Sequence, residues 1–529
     1  MTQIPIIDLF AGPGGLGEGF SSIINENGQR TFQIKLSIEK DEFAHKTLEL
    51  RSFFRQFPIG QVPEDYYEYI RNYKPSEDKI NRETLFNKFS KEAQRAKEEV
   101  WQCTLGDDNF SSKLVDDRIK NALKNTKDWL LIGGPPCQAY SLVGRSRNRG
   151  ISEDDPRVFL YREYLRIIAV HHPAIFVMEN VKGLLSAKYD GDSIFDWIKA
   201  DLKNPGKLFP NYNSPKYRIY SLVQPPKGFD TEGNPIYSKD QDFLIRTELY
   251  GIPQKRHRVI LLGIREDFGD ICFDPIGKKN EVKLRDVINE LPKLRSGIGR
   301  ELALSDCDGK QKYRKINDSQ TNWVNTVNEY LELIKKEFPE VEIDLKNILK
   351  LTKGKNFQEV ALSEESNPLK NWYHDEKIGG VLNHETRTHL KEDLSRYLFS
   401  SIYLKIKGDF PKLRDYPDWL LPNHKNARGT KFADRFRTQR TEEPATTITS
   451  HISKDGHYFI HYDPEQCRSL TVREAARIQT FPDNYFFCGA RTAQYHQVGN
   501  AVPPYLASQI GEIVSYILNS NNLKDNVKS

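Results

Sequence analysis

Short apolar runs alternate with longer amphipathic segments from residue 1 to about residue 270, and this alternation constrains the fold more than any other feature of the sequence. Runs rich in Ile, Leu, Val and Phe that end at Gly or an acidic residue are typical of buried strands. Four of them occupy residues 4–10, 32–39, 128–134 and 174–180. Between the last two, one helical face carries Leu160, Tyr164, Ile167 and Ile168. Repetition of strand, helix and strand predicts an α/β fold with a doubly wound parallel sheet.

The remaining sequence indicates where this sheet is completed and interrupted. Residues 217–223 and 258–264 are two more apolar runs that could complete it, whereas residues 60–100 have the pattern of inserted surface helices. From about 276 to 440 the pattern weakens, and helical periodicity returns after Pro504. The chain has 529 residues, and a single core stops growing at about 250–300. Two or three domains are therefore expected.

Composition excludes several classes of protein. No run approaches the ~18 apolar residues needed to cross a bilayer, and Pro5 and Asp8 interrupt the first apolar stretch. We therefore expect no signal peptide and a cytoplasmic location. The six cysteines show no CxxC spacing, which argues against a disulfide framework and a structural zinc site. The histidines form no tight ligand pattern, and we assign no metal. A net charge of +5 is too small to identify a polyanionic partner.

A glycine-rich turn follows the first predicted strand in the segment DLFAGPGGLGEGF. Gly12, Gly14 and Gly15 would let the backbone approach a ligand closely, although a tight structural turn would also explain them. Glu39 ends the second strand, where a carboxylate commonly accepts hydrogen bonds from ribose hydroxyls. The dinucleotide pattern G-x-G-x-x-G is matched only loosely, by Gly12, Gly14 and Gly17. A different adenosine ligand is favoured.

Cys137 follows two prolines at the end of a predicted strand, in GGPPCQAYS. A random cysteine is most often a small buried hydrophobe, but prolines fix the local backbone, so this thiol would project from a rigid turn. Glu179 ends the adjoining strand. Arg256 and Arg258 alternate in QKRHR, a spacing that would place both on one face of a strand. The candidate partners of the thiol are thus a carboxylate and a guanidinium.

Taken together, these segments resemble the DNA (cytosine-5) methyltransferase family, which uses S-adenosyl-L-methionine. The matching segments, in order, are DLFAGPGGLGEGF, Glu39, Asp107 in LGDD, GGPPCQAYS, ENV, QKRHR, LTVREAARIQTFPD and QVGNAVPP. They cover residues 1 to about 270 and 440 to 515. The resemblance implies a Rossmann-like catalytic domain at 1–275 and a smaller target-recognition domain inserted at 276–490. It also implies that residues 491–529 return to the catalytic domain.

The resemblance assigns roles in catalysis. Carbon-5 of cytosine is a poor nucleophile, so the Cys137 thiolate would first add to carbon-6. Glu179 would neutralise charge near N3 and the exocyclic amine, while Arg258, supported by Arg256, would lie at the O2 edge. For each arginine, the alternative to a catalytic role is a salt bridge that only stabilises the fold. Further contacts with the target base are assigned to Pro136, Gln138, Ser141 and Asn180.

The resemblance also assigns the cofactor site. Phe10 would lie against the adenine ring, Gly12 and Gly14 beside the amino-acid end, and Glu39 on the ribose hydroxyls. Asp107, rather than Asp108, would lie near the adenine amine. Two residues near the other end of the chain would complete the pocket: Asn500 and Val502.

Contact with DNA is expected from two basic segments. A base must leave the duplex before this chemistry can reach it, and residues 138–157 have the composition of a lid that closes over it, with Arg145, Arg147 and Arg149 near phosphates. Residues 424–440 contain the second cluster: Lys425, Arg428, Lys431, Arg435, Arg437 and Arg440. We assign Arg428, Arg435 and Arg437 to DNA, although a solvated charged face is an equally good interpretation. Phe432 and Phe436 between them suggest an element anchored to a core.

Three alternatives stay open from sequence alone: an RNA cytosine-5 methyltransferase, a non-catalytic DNA-binding homologue, and a Rossmann oxidoreductase. The expected function is methylation of one cytosine in a short site of double-stranded DNA, within a prokaryotic restriction-modification system. A cognate restriction endonuclease would then act on the same site without forming a stable complex. We expect a monomer that does not bind membranes.

Overall fold

The computed structural model describes residues 3–124, 126–136, 156–189, 191–303, 312–343, 348–362, 367–422 and 433–528. It divides into two compact units. The first comprises Met1–Val62, Glu83–Asn280 and Ala501–Ser529, and the second comprises Pro63–Arg82 and Glu281–Asn500. Each unit is therefore built from segments that are distant in sequence.

A large sheet forms the centre of the first unit. Its strands are β1 (Ile4–Leu9), β2 (Phe32–Glu39), β3 (Val100–Gln102), β4 (Leu130–Gly133), β5 (Ile175–Val181), β6 (Tyr217–Ser221), β7 (Leu244–Arg246) and β8 (His257–Arg265). The spatial order is β7-β8-β5-β4-β1-β2-β3, with β6 also paired to β8. All six apolar runs read from the sequence are strands of this sheet.

The sheet is mixed, so the prediction of a parallel sheet is wrong for one side of it. Strands β1 to β5 pair in parallel, but β8 pairs antiparallel with β5, β6 and β7. A parallel pair needs a long crossover, usually a helix. Residues 247–256, which join β7 to β8, contain only a 3₁₀ turn and a two-residue strand. Apolar runs identify buried strands without giving their direction.

Helices cover both faces of the sheet, as a doubly wound fold requires. Those of the first unit include α1 (Gly15–Ser21), α2 (Glu42–Arg55), α3 (Ser90–Glu99), α4 (Ser112–Leu123), α5 (Pro156–His171), α6 (Ile194–Lys203) and α7 (Pro504–Lys528). Ile6 and Ile7 of β1 point to opposite faces, into two separate cores. Helices α1 and α7 pack over Ile6, whereas α4 and α5 pack over Ile7.

The C-terminal segment packs directly on α1. A Cβ atom at Gly19 would lie 2.3 Å from the Pro504 carbonyl oxygen and 2.4 Å from the Ala507 Cβ. Only glycine leaves room for so close an approach of two helices. Residues at the two ends of the chain therefore share one core.

The second unit has mixed secondary structure. Its main elements, beside a helix at Glu64–Arg71, are helices at Leu284–Ile288, Gln320–Ile334, Lys391–Lys407, Val472–Ile478 and Arg491–Asn500, and strands β9 (Gly297–Ala303), β10 (Lys312–Lys315), β11 (Gly354–Glu359), β12 (Gly380–Glu385) and β13 (Thr388–Leu390). Trp323, Tyr397 and Phe436 are among its core side chains. Buried histidines, including His384, contribute hydrogen bonds to this interior.

The first inserted helix is not a surface element. Tyr66, Tyr67, Tyr69 and Ile70 of Glu64–Arg71 are buried. The Tyr67 hydroxyl donates a 2.8 Å hydrogen bond to Asp375, and the Arg71 Nε donates one of 2.9 Å to the Ile378 carbonyl. The prediction of surface helices missed this because the helix is polar overall and buries its aromatic side chains within the second unit.

Candidate active site

The turn after β1 places three site residues in left-handed backbone. Phe10, Gly12 and Gly14 have φ angles of 55°, 57° and 92°. The Gly14 N–H donates to the Ala11 carbonyl oxygen at 2.9 Å, and the Gly12 N–H donates to Glu39 Oε2 at 2.7 Å. Glycine adopts such angles without the steric cost that other residues bear. The turn predicted from DLFAGPGG is therefore folded against the end of β2.

Glu39 occupies the carboxyl end of β2, beside this turn. Its Oε1 accepts a 2.8 Å hydrogen bond from the Asp41 N–H. Burial raises the pKa of the carboxyl group, while the hydrogen bonds from Asp41 and Gly12 oppose that rise. Each carboxylate oxygen can accept more than one hydrogen bond. Glu39 is thus fixed by backbone donors and retains capacity for hydroxyl groups.

Asp107 lies just beyond the neighbouring strand. Strand β3 pairs with β2 so that Gln102 is opposite Glu39, and Asp107 is in the turn that follows. Its Oδ1 accepts hydrogen bonds of 2.9 and 2.8 Å from the backbone and side-chain nitrogens of Asn109. Asp107 is half-buried, whereas Asp108 is exposed. Phe10, Glu39 and Asp107 therefore follow three strands at one edge of the sheet.

Glu179 and Arg258 form an ion pair across two antiparallel strands. Arg258 is opposite Val181, two residues from Glu179, so both side chains project from the same face. The Arg258 Nε lies 2.6 Å from Glu179 Oε1, and each side chain is 14% exposed. Glu179 and Arg258, which the sequence predicted as partners of the Cys137 thiol, are thus in contact with each other.

Gly134 brings the next segment of chain against this pair. A Cβ atom at position 134 would lie 2.9 Å from Glu179 Oε2. The backbone passes so closely because position 134 lacks a side chain. Pro135 is buried and Pro136 is half-buried directly after it. Sequence reasoning quoted this glycine within GGPP but gave it no role.

Arg256 does not share a strand with Arg258, so that part of the prediction is wrong. It lies before the first residue of β8, and its N–H donates to Thr247 Oγ1 and to the Gln254 carbonyl oxygen, both at 3.0 Å. At Arg256, these local hydrogen bonds take the place of the backbone hydrogen bonds between neighbouring strands of a sheet. The residue is 2% exposed, and burial lowers the pKa of its guanidinium, assisted by Arg258 and opposed by Glu179.

Several predicted residues lie outside the described part of the chain. They are Cys137, Gln138, Ser141 and Arg428, together with residues 138–155 of the lid expected at 138–157 and the basic residues Lys425 and Lys431. Their assignments stay predictions from the sequence. Phe432 also lies outside the described residues.

Three other predicted residues have defined surroundings. Asn180 is buried, and its Oδ1 accepts a 2.8 Å hydrogen bond from the Val181 N–H. The Val502 carbonyl oxygen would be 2.1 Å from a Cβ atom at Gly15, which places Val502 beside the glycine turn. Asn500 is the last residue of the helix Arg491–Asn500 in the second unit. Its Nδ2 lies 3.4 Å from His496 Nε2.

The basic segment is only partly available for a polyanion. Phe436 is buried in the core of the second unit, as an anchored element requires. Arg437 pairs with Asp434, and Arg440 lies 3.1 Å from Glu443 and also pairs with Asp409. Neighbouring carboxylates therefore offset part of the positive charge predicted from the run.

Asp8 is a feature that sequence reasoning missed. It lies in β1 opposite Ser37, is 1% exposed, and neither carboxylate oxygen has a hydrogen-bond partner among the described residues. Burial raises the pKa of Asp8 to about 8, with Arg55 opposing the rise and Glu39 adding to it. An acidic residue inside an apolar strand was the available signal.

The fold and site define a protein of the α/β class whose glycine turn, carboxylates and ion pair lie at one edge of a large central sheet. The sequence profile of C-5 cytosine-specific DNA methylases matches residues 85–213 and 237–515. The chain is 32% identical over 536 residues to the type II methyltransferase M.Bpa9945I of Bacillus paralicheniformis, across 98% of this chain and 100% of that protein. It is 26% identical over 532 residues to M.DdeI of Desulfomicrobium norvegicum, across 98% and 90%.

A solved structure shares this fold. It is a prophage-encoded protein of E. coli described as a DNA modification methyltransferase, with a TM-score of 0.50 and 21% identity over 98% of this chain and 100% of that one. The chain belongs to the C-5 cytosine-specific DNA methylase family and is a DNA (cytosine-5) methyltransferase. Within the described residues, no helix combines the length and apolar character needed to cross a membrane.

Proposed function

We propose that this protein transfers a methyl group from S-adenosyl-L-methionine to carbon-5 of one cytosine within a short site of duplex DNA. The observation that carries the proposal is the Glu179–Arg258 pair, with the backbone of Gly134 against it. Cys137 follows Gly134 by three residues, so their Cα atoms are at most about 11 Å apart. We therefore assign the Cys137 thiol to act together with Glu179 and Arg258.

The residues present fit the cofactor. Glu39 is held by two backbone donors and has acceptor capacity for ribose hydroxyls. Phe10 offers a half-buried ring, and Asp107 a carboxylate for the adenine amine. Gly12 and Gly14 would lie beside the amino-acid end, and Asn500 and Val502 are assigned to the same pocket. When bound, the cofactor supplies the methyl group as an electrophile attached to a sulfonium sulfur.

The protein's own residues would prepare and release the base. The Cys137 thiolate forms a bond to carbon-6, which makes carbon-5 nucleophilic. Glu179 stabilises N3 and the exocyclic amine by sharing a proton, and Arg258 places fixed positive charge near O2. Arg256, buried behind them, would position Arg258. After transfer, the carbon-5 proton leaves to water and the sulfur–carbon-6 bond breaks, which regenerates the thiolate.

We assign selection of the DNA site to the second unit, as a target-recognition domain, and the context to a prokaryotic restriction-modification system. Support comes from relatives named as type II methyltransferases. Residues Pro136, Gln138, Ser141 and Asn180 would contact the target base, and Arg428, Arg435 and Arg437 would contact DNA. These assignments follow the matching motifs and the basic character of the segments.

The test is methyl incorporation from labelled cofactor into duplex DNA and, separately, into transfer RNA. Wild-type protein should modify DNA only. Cys137→Ser should abolish transfer and leave cofactor binding by calorimetry unchanged, whereas Cys272→Ser, at an exposed cysteine of the same unit, should behave as wild type. DNA in which the target cytosine is replaced by 5-fluorocytosine should form a permanent adduct at Cys137. Transfer by Cys137→Ser at a comparable rate would show that the nucleophile is another group.

A further inference from the structure

Strands β9 and β10 form an exposed ribbon in the second unit whose two faces differ in charge. Their pairing places Arg300 opposite Lys315 and Leu302 opposite Tyr313. Side chains directly opposite in an antiparallel pair share a face, so these four form one face, here called the outer face. All four side chains are exposed, with Leu302 at 40% and Tyr313 at 43%.

Glu301 is the one carboxylate among the described residues of the two strands, and it lies on the inner face. Glu301 and Arg314 are opposite each other there and form an ion pair. Glu301 is also 4.0 Å from Lys391, and Glu392 accepts a 2.7 Å hydrogen bond from the Leu302 N–H. No ion pair of the described residues includes Arg300 or Lys315. Among the described residues, the carboxylate of the ribbon thus lies on the inner face, whereas the outer face carries two cations without an ion pair.

Folding alone does not favour the outer face. Like charges directly opposite in a β-pair are destabilising, and Leu302 and Tyr313 lose contact with water only if something covers them. Charges on an edge strand can serve to prevent sheet-to-sheet aggregation, and this accounts for Lys315 of the edge strand β10. It does not account for Arg300, because β9 lies between β10 and β13. An anion placed between Arg300 and Lys315 would offset their repulsion.

We propose that the outer face of the β9–β10 ribbon binds the phosphate backbone of the DNA substrate, with Arg300 and Lys315 on phosphates and Leu302 and Tyr313 against the sugars. A two-stranded ribbon has the dimensions to enter a major groove, and phosphate contacts set the register of a protein on the duplex without reading sequence. The proposal rests on the proposed function, since it names where the substrate of that reaction is held. It assigns a positioning surface outside the catalytic residues.

The salt dependence of DNA binding tests this surface directly. Each phosphate contact contributes about 0.9 to the slope of log affinity against log salt. Arg300→Gln with Lys315→Gln should therefore reduce the slope by about 1.8. Between about 50 and 200 mM salt, wild-type affinity for a short mixed-sequence duplex should then fall about 12-fold more than that of the outer-face variant. Fluorescence anisotropy of a labelled duplex gives both slopes.

The ribbon supplies its own matched control. Lys312→Gln with Arg314→Gln removes the same amount of charge from the same ribbon, but both residues belong to β10 and lie on the inner face. This variant should leave the slope close to the wild-type value. An equal change in both variants, or no change in the outer-face variant, would overturn the proposal. Methyl incorporation by wild-type protein is measured alongside. Active wild-type protein with an unaltered slope in the variant refutes the surface alone, whereas inactive wild-type protein refutes the proposed function.

Discussion

Replacing Asp8 by Asn should remove a pH-dependent cost that burial imposes on the first unit. Asp8 is 1% exposed, and its pKa is raised to about 8, compared with about 3.9 for a free carboxyl. Between these two values the folded state keeps a proton that the unfolded state releases. The free energy of unfolding therefore falls as pH rises, by about 1.4 kcal/mol per pH unit from this group. Asparagine has the same shape and does not titrate.

The magnitude follows from the interval between the two pKa values. From pH 5.5 to 7.5 the stability of Asp8→Asn relative to wild type should increase by about 2.5 kcal/mol, because a group with a pKa of about 8 begins to ionise near the upper limit. Comparing the two proteins across pH cancels any fixed cost of the asparagine amide. Equilibrium urea unfolding at each pH, followed by the fluorescence of the buried Trp129 in the same unit, measures the difference.

The exposed Asp108 provides the control. Asp108→Asn makes the same substitution at an exposed position, and it should follow the wild-type pH dependence throughout. The reasoning is refuted if Asp8→Asn and wild type lose stability in parallel over this pH range. That result would mean that Asp8 is ionised in the folded protein and has a partner for its charge.

Three other substitutions test separate parts of the structure. Glu179→Gln removes the carboxylate that pairs with Arg258, so the rate of methyl transfer should fall about 10²- to 10⁴-fold. Cofactor affinity, measured by calorimetry, should be retained. Full activity of this variant would show that Glu179 has no part in the mechanism. Gly19→Ala would ordinarily stabilise a helix, but its Cβ would lie 2.3 Å from the Pro504 carbonyl oxygen. It should destabilise the protein by about 1–3 kcal/mol and expose α7 to proteolysis, and unchanged cleavage would contradict this packing. Glu474→Gln leaves the 1% exposed Arg468 without its carboxylate and should cost about 3–5 kcal/mol in thermal unfolding. The Arg468 guanidinium lowers the pKa of Glu474 in the folded protein. The contribution of Glu474 to the free energy of unfolding is therefore present above the ordinary carboxyl pKa and is lost on acidification. A variant as stable as wild type at pH 7 would disprove this contribution.

The candidate site could be read from sequence where residue type and strand end coincide. Glu39 and Glu179 each interrupt or end an apolar run, and the structure places them at or near the ends of β2 and β5. Gly12 and Gly14 were identified as residues that let the backbone approach a ligand closely, and the structure adds that both have left-handed φ angles. Arg256 was misplaced, because alternation in a sequence predicts a shared face only when both residues belong to one strand. Its hydrogen bond to Thr247 depends on a turn that periodicity does not reveal.

By itself, the sequence determined the strands, their approximate bounds and the chemical types of the site residues, since hydrophobic periodicity and the conformational needs of Gly and Pro are local properties. Tertiary structure alone decided the antiparallel direction of β8, the burial of Asp8, and the contact of Gly134 with Glu179. It also decided that residues 63–82 pack with residues 281–500. These features depend on distances between residues far apart in the chain, and long-range distances are set by packing rather than by local propensity.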